Sequence, residues 1–207
     1  MRAIPLDLSV IQAVVFDLDN TLVTSSMNFR ALREQIGCPQ QDDLLHYANG
    51  LNCDLKSQRA HQLIIEHEME DARISSPMPG CLELLEHLRA HRIHTAIVTR
   101  NCAKATALKM THNHIKIERV ISREHFPPKP APDSLIALAE EWFLPRQQVL
   151  YVGDFVYDLQ AARNAGMPSC LVTHGRRPDF VDQASLVVTH LHDLQQLLAQ
   201  SHQQLAQ

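Results

Sequence analysis

Eight polar residues of this 207-residue chain have side chains that could together move a phosphoryl group. They are Asp17, Asp19, Thr99, Arg100, Asn101, Lys129, Asp154 and Asp158. A carboxylate can act as the nucleophile, while lysine and threonine side chains can bind phosphate oxygens and neutralise their charge. Because phosphoryl transfer depends mainly on positioning and charge neutralisation, this set of side chains predicts a phosphoryl-transfer site.

The aspartates of this set also predict a metal ion. Two carboxylates about 4 Å apart repel each other by roughly 4 kcal/mol at an effective dielectric constant near 20. A divalent cation would relieve that repulsion. A set of oxygen ligands without histidine or cysteine suits Mg²⁺, with water and substrate completing its coordination. The sequence therefore predicts Mg²⁺ as the cofactor.

Short apolar runs position most of these residues. The runs are residues 13–16, 95–98, 120–121, 149–152, 169–172 and 186–188. Runs of this length without polar alternation are typical of strands that are buried on both faces of a parallel sheet. Helical patterns separate them, so we expect an α/β fold with a Rossmann-like parallel sheet and helices on both faces. Ligands of such sheets bind beyond the carboxyl ends of the strands, which is where the polar candidates lie.

One interval of the chain, residues 24–78, contains only helical patterns. Its helices are predicted at residues 28–36, 41–47 and 55–74. A Thr-Ser-Ser stretch and a Pro-Met-Pro-Gly stretch border the interval and suit linkers. We expect a small helical cap at 24–78, inserted into a catalytic core that is formed by residues 1–23 and 79–207.

Two surfaces of this insertion can be anticipated. Arg30 and Arg33 lie three residues apart on the first helix and either face the substrate or form a solvated surface. An inward-facing stripe is expected along the longest helix. Its members are Leu55, Gln62, Ile65, Met69 and Ala72.

The composition excludes several classes of protein. Lys and Arg number 19 against 23 Asp and Glu, a formal charge of −4, so the chain lacks the basic surface of a nucleic-acid or membrane-surface binder. Its apolar stretches are far shorter than the roughly 20 residues of a membrane-spanning helix. Five scattered cysteines without a C-x-x-C spacing indicate reduced thiols rather than a disulfide framework. We expect a cytoplasmic monomer or small homo-oligomer that binds neither nucleic acid nor membrane.

Four motifs in this order resemble the signature motifs of the haloacid dehalogenase-like (HAD) hydrolase superfamily. They are Phe16-Asp17-Leu18-Asp19-Asn20-Thr21-Leu22, Val98-Thr99, Lys129-Pro130, and Gly153-Asp154 followed by Asp158. The helical insertion after the first motif is similar to the cap of the branch that contains phosphoglycolate phosphatase and β-phosphoglucomutase. The resemblance implies a Rossmann-like core around the motifs.

The resemblance also implies a role for each carboxylate. Asp17 would be the nucleophile and would carry the phosphoryl group as an aspartyl-phosphate. Asp19 would protonate the leaving oxygen and then act as the base that activates water. Asp17, Asp154 and the backbone carbonyl of Asp19 would hold Mg²⁺. Asp158 would complete the metal site by orienting its waters or Lys129.

The other motif residues would bind the phosphate group. Thr99 and Lys129 are the implied phosphate ligands. Arg100 and Asn101 follow Thr99 and are either polar residues of the loop or contacts for phosphate or a carboxylate of the substrate. Phe155 departs from the family pattern, which often has serine or threonine there, and this puts the surroundings of the metal ligands in doubt but not the ligands themselves.

The expected function is a Mg²⁺-dependent phosphatase, similar to phosphoglycolate phosphatase, that acts on a small phosphorylated metabolite. Asp19 favours a phosphatase over a dehalogenase because an alkoxide leaving group needs a proton. A phosphosugar mutase of the β-phosphoglucomutase type stays open, since it uses the same residues and differs in the acceptor of the phosphoryl group. A signalling receiver domain fits less well, because receivers lack both a cap and a carboxylate two residues after the phosphoacceptor.

Overall fold

Six parallel strands form one sheet in the computed structural model, which describes the backbone of residues 3–205 and the side chains of residues 3–201. The strands are β1 (Ala13–Phe16), β2 (His94–Val98), β3 (Arg119–Ile121), β4 (Val149–Gly153), β5 (Ser169–Val172) and β6 (Leu186–Val188). They are ordered β3-β2-β1-β4-β5-β6, and each neighbouring pair is parallel. Each predicted strand is present, and the predicted fold class is confirmed.

The α-helices lie between or after these strands in the chain. They are α1 (Phe29–Ile36), α2 (Leu44–Asn49), α3 (Asp54–Ile74), α4 (Cys81–Ala90), α5 (Ala103–His112), α6 (Asp133–Glu141), α7 (Val156–Ala165) and α8 (Leu191–Leu205). The α2 helix begins later than predicted because Asp43 caps its first turn. The sequence did not predict α5, whose buried face carries Thr106 and Lys109 and so lacks apolar periodicity. Within the described range, no helix has the length and hydrophobicity that crossing a membrane requires.

Both faces of the sheet are buried, which explains its unbroken apolar strands. Alternate residues of a strand point to opposite faces. Phe16 packs in one cluster with Leu84 of α4, whereas Val15 packs in another with Leu138 of α6. Burial of an aliphatic or aromatic side chain of this size contributes about 1.5–3 kcal/mol to folding, so these two layers hold the strand ends in place.

The strand order reverses in the middle of the sheet, between β1 and β4. The chain runs outward from β1 through β2 to β3, then returns to β4 and continues outward through β5 to β6. Connections that leave in opposite directions open a crevice at the carboxyl ends of the two central strands. Phe16 and Val152 are partners in register, so the residues that follow β1 and β4 meet at this crevice.

Helices α1, α2 and α3 lie between β1 and β2 and share a hydrophobic cluster of their own. Leu32, Leu45 and Ile64 contribute to it, one from each helix. This is the helical insertion of the confirmed fold class. Its boundaries at residues 24 and 78 stay a prediction, and residues 1–2 and 206–207 of the expected core lie outside the described residues.

The predicted stripe on α3 was wrong for Leu55 and Gln62, whereas Ala72 is buried as predicted and Ile65 and Met69 are partly buried. Leu55 is 75% exposed, and Gln62 also faces solvent. The residues of α3 that are buried are Ala60, Ile64, Glu68, Asp71 and Ala72. The buried face includes carboxylates because it packs against α5 and the segment after β3, where Lys109 and Arg123 supply the opposite charges.

Candidate active site

Asp17 begins the loop that follows β1 and lies in the crevice. Its backbone N–H donates to the carbonyl of Val152 at 2.8 Å and extends the contact between β1 and β4 by one residue. The chain then turns at Asn20, which adopts a left-handed conformation with a φ of 55°. The backbone N–H of Asn20 donates to the carbonyl of Val23 at 2.7 Å. These bonds fix the loop, so that the buried Asp17 side chain faces the groups that follow β4.

Lys129 contacts two carboxylates and a phenol. Its Nζ lies 2.5 Å from Oδ1 of Asp17, 2.8 Å from Oδ1 of Asp158 and 2.8 Å from the hydroxyl of Tyr151. Burial alone would lower the pKa of Lys129, but the charges of Asp158 and Asp17 outweigh burial and raise it. Lys129 therefore stays protonated and brings a fixed positive charge beside the predicted nucleophile.

Asp154 and Asp158 reach Asp17 from the end of β4 and the first turn of α7. One oxygen from each of these three carboxylates lies within 4.8 Å of the others. The backbone N–H of Phe155 donates to Oδ2 of Asp158 at 2.9 Å and fixes this side chain. Gly153 makes the approach possible, because a Cβ at that position would lie 2.3 Å from Cγ of Asp158.

Two of these carboxylates bind protons more tightly than ordinary aspartates. Burial raises the pKa of Asp17 to about 7, with opposition from Lys129 and further increases from Asp158 and Asp19. Burial also raises the pKa of Asp154 to about 8, and the charges of Asp17 and Asp158 add to the effect. Three carboxylates beside one ammonium leave excess negative charge, which a divalent cation would neutralise. The oxygen donors fit Mg²⁺.

The carboxylate of Asp19 is held by donors from two other parts of the chain. Asn101 donates from Nδ2 to Oδ2 of Asp19 at 2.9 Å, and the ammonium group of Lys109 contacts Oδ1. Among the described residues, the cluster of converging carboxylate oxygens does not include the Asp19 side chain. This arrangement is compatible with the expectation that Asp19 contributes its backbone carbonyl to the metal.

Thr99 directly follows β2 and is almost fully buried. Its backbone N–H donates to the carbonyl of Ile121 at 2.9 Å, and its Oγ1 accepts from the backbone N–H of Asn101 at 3.1 Å. The hydroxyl hydrogen is not used in that bond and can still be donated to a phosphate oxygen. Phosphate binding by Thr99 and substrate binding by Asn101 stay predictions.

Arg100 links the core to the helical insertion. It donates to the backbone carbonyl of Lys129 at 2.9 Å and to Oδ2 of Asp43 at 2.5 Å. Its guanidinium carbon also lies 4.9 Å from the centre of the Tyr157 ring. Arg100 was expected to bind substrate, and in this structure its side chain is instead engaged within the protein. Its role toward substrate stays a prediction.

The two arginines of α1 that the sequence singled out contact residues of the helical insertion. Arg30 is exposed and pairs with Glu34 of the same helix at 3.2 Å. Arg33 donates to the backbone carbonyl of Asp42 at 2.9 Å. Arg30 thus belongs to a solvated surface, and Asp43 is the residue through which α2 reaches Arg100.

Sequence reasoning missed four residues of the site. Asp43, Asp71, Lys109 and Tyr151 contact the predicted residues or their partners. Tyr151 lies within an apolar run and reads as strand core, while Lys109 lies on a helix that was not predicted. A signal was available for Asp71, which follows Glu68 at the i, i+3 spacing of one helix face.

A family model for haloacid dehalogenase-like hydrolases matches residues 14–172, which include the motif residues from Asp17 to Asp158. The chain belongs to the haloacid dehalogenase-like hydrolases. The resemblance of its motifs to this superfamily is thereby confirmed, and so is the expectation that the protein is an enzyme.

Relatives of this hydrolase span nearly its whole length. A haloacid dehalogenase-like hydrolase domain-containing protein of Arabidopsis thaliana is 28% identical over 202 residues, covering 86% of this chain and 82% of that protein. A phosphoglycolate phosphatase of Thiobacillus denitrificans is 28% identical over 201 residues, covering 84% of this chain and 87% of that protein. The crystal structure of a hydrolase from Pseudomonas syringae has the same fold, with a TM-score of 0.75, 21% identity and coverage of 91% of this chain and 98% of that chain.

Proposed function

We propose that this hydrolase is a Mg²⁺-dependent phosphatase that cleaves a small phosphate monoester through an aspartyl-phosphate on Asp17. The observation that carries the proposal is the 2.5 Å contact between Lys129 and Asp17, beside two further aspartates. It brings a nucleophilic carboxylate next to a protonated lysine and a cluster suited to a divalent cation. Phosphoryl transfer needs this combination of nucleophile and positive charge.

In the first step, a carboxylate oxygen of Asp17 attacks phosphorus and the bond from phosphorus to the leaving oxygen breaks. Asp19 gives a proton to the leaving oxygen, so that an alcohol departs rather than an alkoxide. Lys129 and the Thr99 hydroxyl bind phosphate oxygens and hold the group in line with Asp17.

In the second step, water attacks phosphorus and the bond to Asp17 breaks. Asp19, now a carboxylate, takes a proton from that water, and inorganic phosphate leaves. The same side chain thus donates a proton in one step and accepts one in the other, which returns the site to its starting state.

The metal ligands in this proposal are Asp17, Asp154 and the backbone carbonyl of Asp19, with Asp158 orienting its waters or Lys129. Mg²⁺ bound there would supply positive charge next to the phosphate oxygens. Lys129 contributes a further positive charge through its contacts with Asp17 and Asp158.

Phosphoglycolate is the first substrate candidate, because a phosphoglycolate phosphatase is similar to this chain over most of its length. The core residues described above act on the phosphate group, so recognition of the rest of the substrate falls to the helical insertion and to residues at the crevice. Arg100 is a cation at the crevice that contacts the insertion through Asp43.

A hydrolysis screen tests the proposal. The full chain would be incubated with Mg²⁺ and phosphoglycolate, hexose phosphates, nucleoside monophosphates or p-nitrophenyl phosphate, and products followed by phosphate release and ³¹P NMR. Release of inorganic phosphate from at least one ester is expected. Isomerised sugar phosphate without phosphate release would identify a mutase instead, and the absence of any turnover would contradict the phosphatase assignment.

A cytoplasmic location and a monomeric or small homo-oligomeric state complete the proposal. All five cysteines are unpaired, and four of them are buried. Free thiols of this kind suit a reducing compartment. Cell fractionation tests the location, and light scattering on the purified chain measures the oligomeric state.

A further inference from the structure

Lys109 on α5 is fully buried and contacts two carboxylates. Its ammonium group lies against Oδ1 of Asp19, and Nζ is 2.7 Å from Oδ2 of Asp71 near the end of α3. Burial of an ammonium group without partners raises the free energy of the folded protein, and both contacts offset this penalty. One of these two partners, Asp19, lies in the loop that follows β1.

Asp71 is itself held firmly on several sides. Its Oδ1 accepts from the backbone N–H of Ser26 at 2.6 Å and from the Ser26 hydroxyl at 3.2 Å, and its Oδ2 accepts from the Ser25 hydroxyl at 2.8 Å. These bonds attach Ser25 and Ser26, which follow the loop that contains Asp19, to the end of α3. One partner of Lys109, Asp71, is therefore held in place by other hydrogen bonds, and the other partner is Asp19.

Other contacts besides Lys109–Asp71 attach α3 to the core. Glu68 of α3 accepts from the backbone N–H of Cys102 at 3.0 Å and pairs with Arg123. Ser75, which directly follows α3, accepts from Asn113, which directly follows α5, at 2.9 Å. With these contacts in place, anchoring of the insertion gives no reason for the second contact of Lys109, which is with Asp19.

We infer that Lys109 is a positioning residue that orients the carboxyl group of Asp19 for proton transfer, with Asp71 orienting Lys109 in turn. The inference rests on the proposed phosphatase function, in which Asp19 is the general acid and base. Asn101 fixes the other carboxylate oxygen of Asp19. Loss of Lys109 leaves that single contact, so the carboxyl group can rotate away from the leaving oxygen.

The test compares aryl phosphates of similar size whose leaving phenols differ in basicity. p-Nitrophenyl phosphate needs little protonation of its leaving group, whereas phenyl phosphate and p-methoxyphenyl phosphate need more. For Lys109→Met, kcat/KM is expected to fall less than about threefold on p-nitrophenyl phosphate and about 10- to 100-fold on the other two, since general acid catalysis is worth about 10²–10⁴-fold. When hydrolysis of the aspartyl-phosphate limits turnover, kcat falls on all three esters, because water activation needs Asp19 whatever group has left.

Two further variants separate positioning from stability. Ser75→Ala removes a contact between α3 and α5 without touching Asp19, and any effect it has on kcat/KM should be the same for all three esters. If Lys109→Met does not fold because Asp71 is left with an unpaired buried charge, Lys109→Met combined with Asp71→Asn removes both charges and is measured in its place. Thermal unfolding of each variant checks the fold.

The outcomes distinguish the two proposals. A loss that grows with the basicity of the leaving phenol supports the positioning role. An equal loss of kcat/KM on all three esters, or no loss of kcat/KM on any of them, overturns it and leaves Lys109 as a structural contact, while the phosphatase proposal stands. A parent protein that hydrolyses none of the three esters in the presence of Mg²⁺ overturns the phosphatase proposal and, with it, the role of Lys109.

Discussion

The guanidinium group of Arg100 and the carboxylate of Asp43 join the core to the helical insertion, with 2.5 Å between nitrogen and oxygen. Both side chains are partly exposed, at 24% and 29%. Burial alone would raise the pKa of Asp43, but its hydrogen bond from the backbone of His46 and the charge of Arg100 lower it. The positive charge that could attract an anionic substrate is thus neutralised by a residue of the insertion.

Replacement of Asp43 by asparagine tests what that neutralisation does. Asparagine can still cap α2, and a partly exposed ion pair contributes only about 0–1 kcal/mol, so the Tm should change little. Because Arg100 would no longer pair with a negative charge, KM should fall severalfold for phosphoglycolate, which carries a carboxylate. KM should not change for β-glycerophosphate, which carries no carboxylate. Steady-state kinetics on both esters measures this, with Arg100→Gln expected to shift KM for phosphoglycolate upward. Equal KM changes on the two esters would show that Arg100 does not contact the substrate.

Asp17→Asn should abolish turnover without unfolding the protein. The amide cannot attack phosphorus. The substitution also removes one negative charge from a cluster of three carboxylates, so it should not destabilise the fold. Phosphate release and thermal unfolding are the measurements, with mass spectrometry to detect deamidation. Asp7→Asn, at an exposed position near the N-terminus, is the matched control and should retain the parent rate. Substantial activity in Asp17→Asn would remove Asp17 as the nucleophile.

Activity should require Mg²⁺ and should be inhibited by Ca²⁺. Ca²⁺ takes more oxygen ligands at longer distances, so it would loosen the alignment of Asp17 with phosphorus. The assay is phosphate release after dialysis against EDTA, followed by addition of each cation. Full activity in excess EDTA would show that catalysis needs no metal ion at Asp154 and Asp158 and that these residues have a structural role.

Stabilisation by Mg²⁺ should depend on pH. The pKa values of Asp17 and Asp154, about 7 and about 8, lie above the ordinary value of 3.8. In the metal-free folded protein these two groups therefore bind more protons than in the unfolded chain, and their contribution to the free energy of unfolding falls as pH rises from about 4 to about 8. Mg²⁺ competes with those protons, so it should raise the Tm more at about pH 8.5 than at about pH 5.5. Equal increases at the two pH values would contradict the raised pKa values.

Gly153→Ala should reduce both stability and activity. The new Cβ would lie 2.3 Å from Cγ of Asp158, so either β4 or the start of α7 must move. Overpacking of this kind costs about 1–3 kcal/mol, and displacement of Asp158 also disturbs Lys129. Gly50→Ala is the control, because its Cβ would meet its nearest neighbour at 3.4 Å with an ordinary negative φ. Urea unfolding and phosphate release measure the two effects, and parent-like values for Gly153→Ala would show that the close approach is tolerated.

The strands were predictable because burial on both faces demands apolar residues at every position. Each apolar run, such as 149–152, became a strand at nearly the same bounds. Helices were predictable where one face is apolar, as in α4, whereas α5 was missed and the inward face of α3 was assigned incorrectly. Lys109 of α5 and Asp71 of α3 satisfy each other across the interface. Pairing of that kind places charged residues at buried positions, where hydrophobic periodicity does not reveal them.

The sequence by itself determined which polar groups meet at the crevice. Asp17, Thr99 and Asp154 each follow a strand directly, and parallel strands bring their carboxyl ends to one edge, so the convergence of these groups follows from local patterns. The partners of Asp19 and Arg100 were decided only by the tertiary structure. Lys109 is 90 residues from Asp19 in the chain, and Arg100 is 57 residues from Asp43. Which charges meet over such separations depends on how the insertion packs against α5 and the crevice, and no short stretch of sequence encodes that packing.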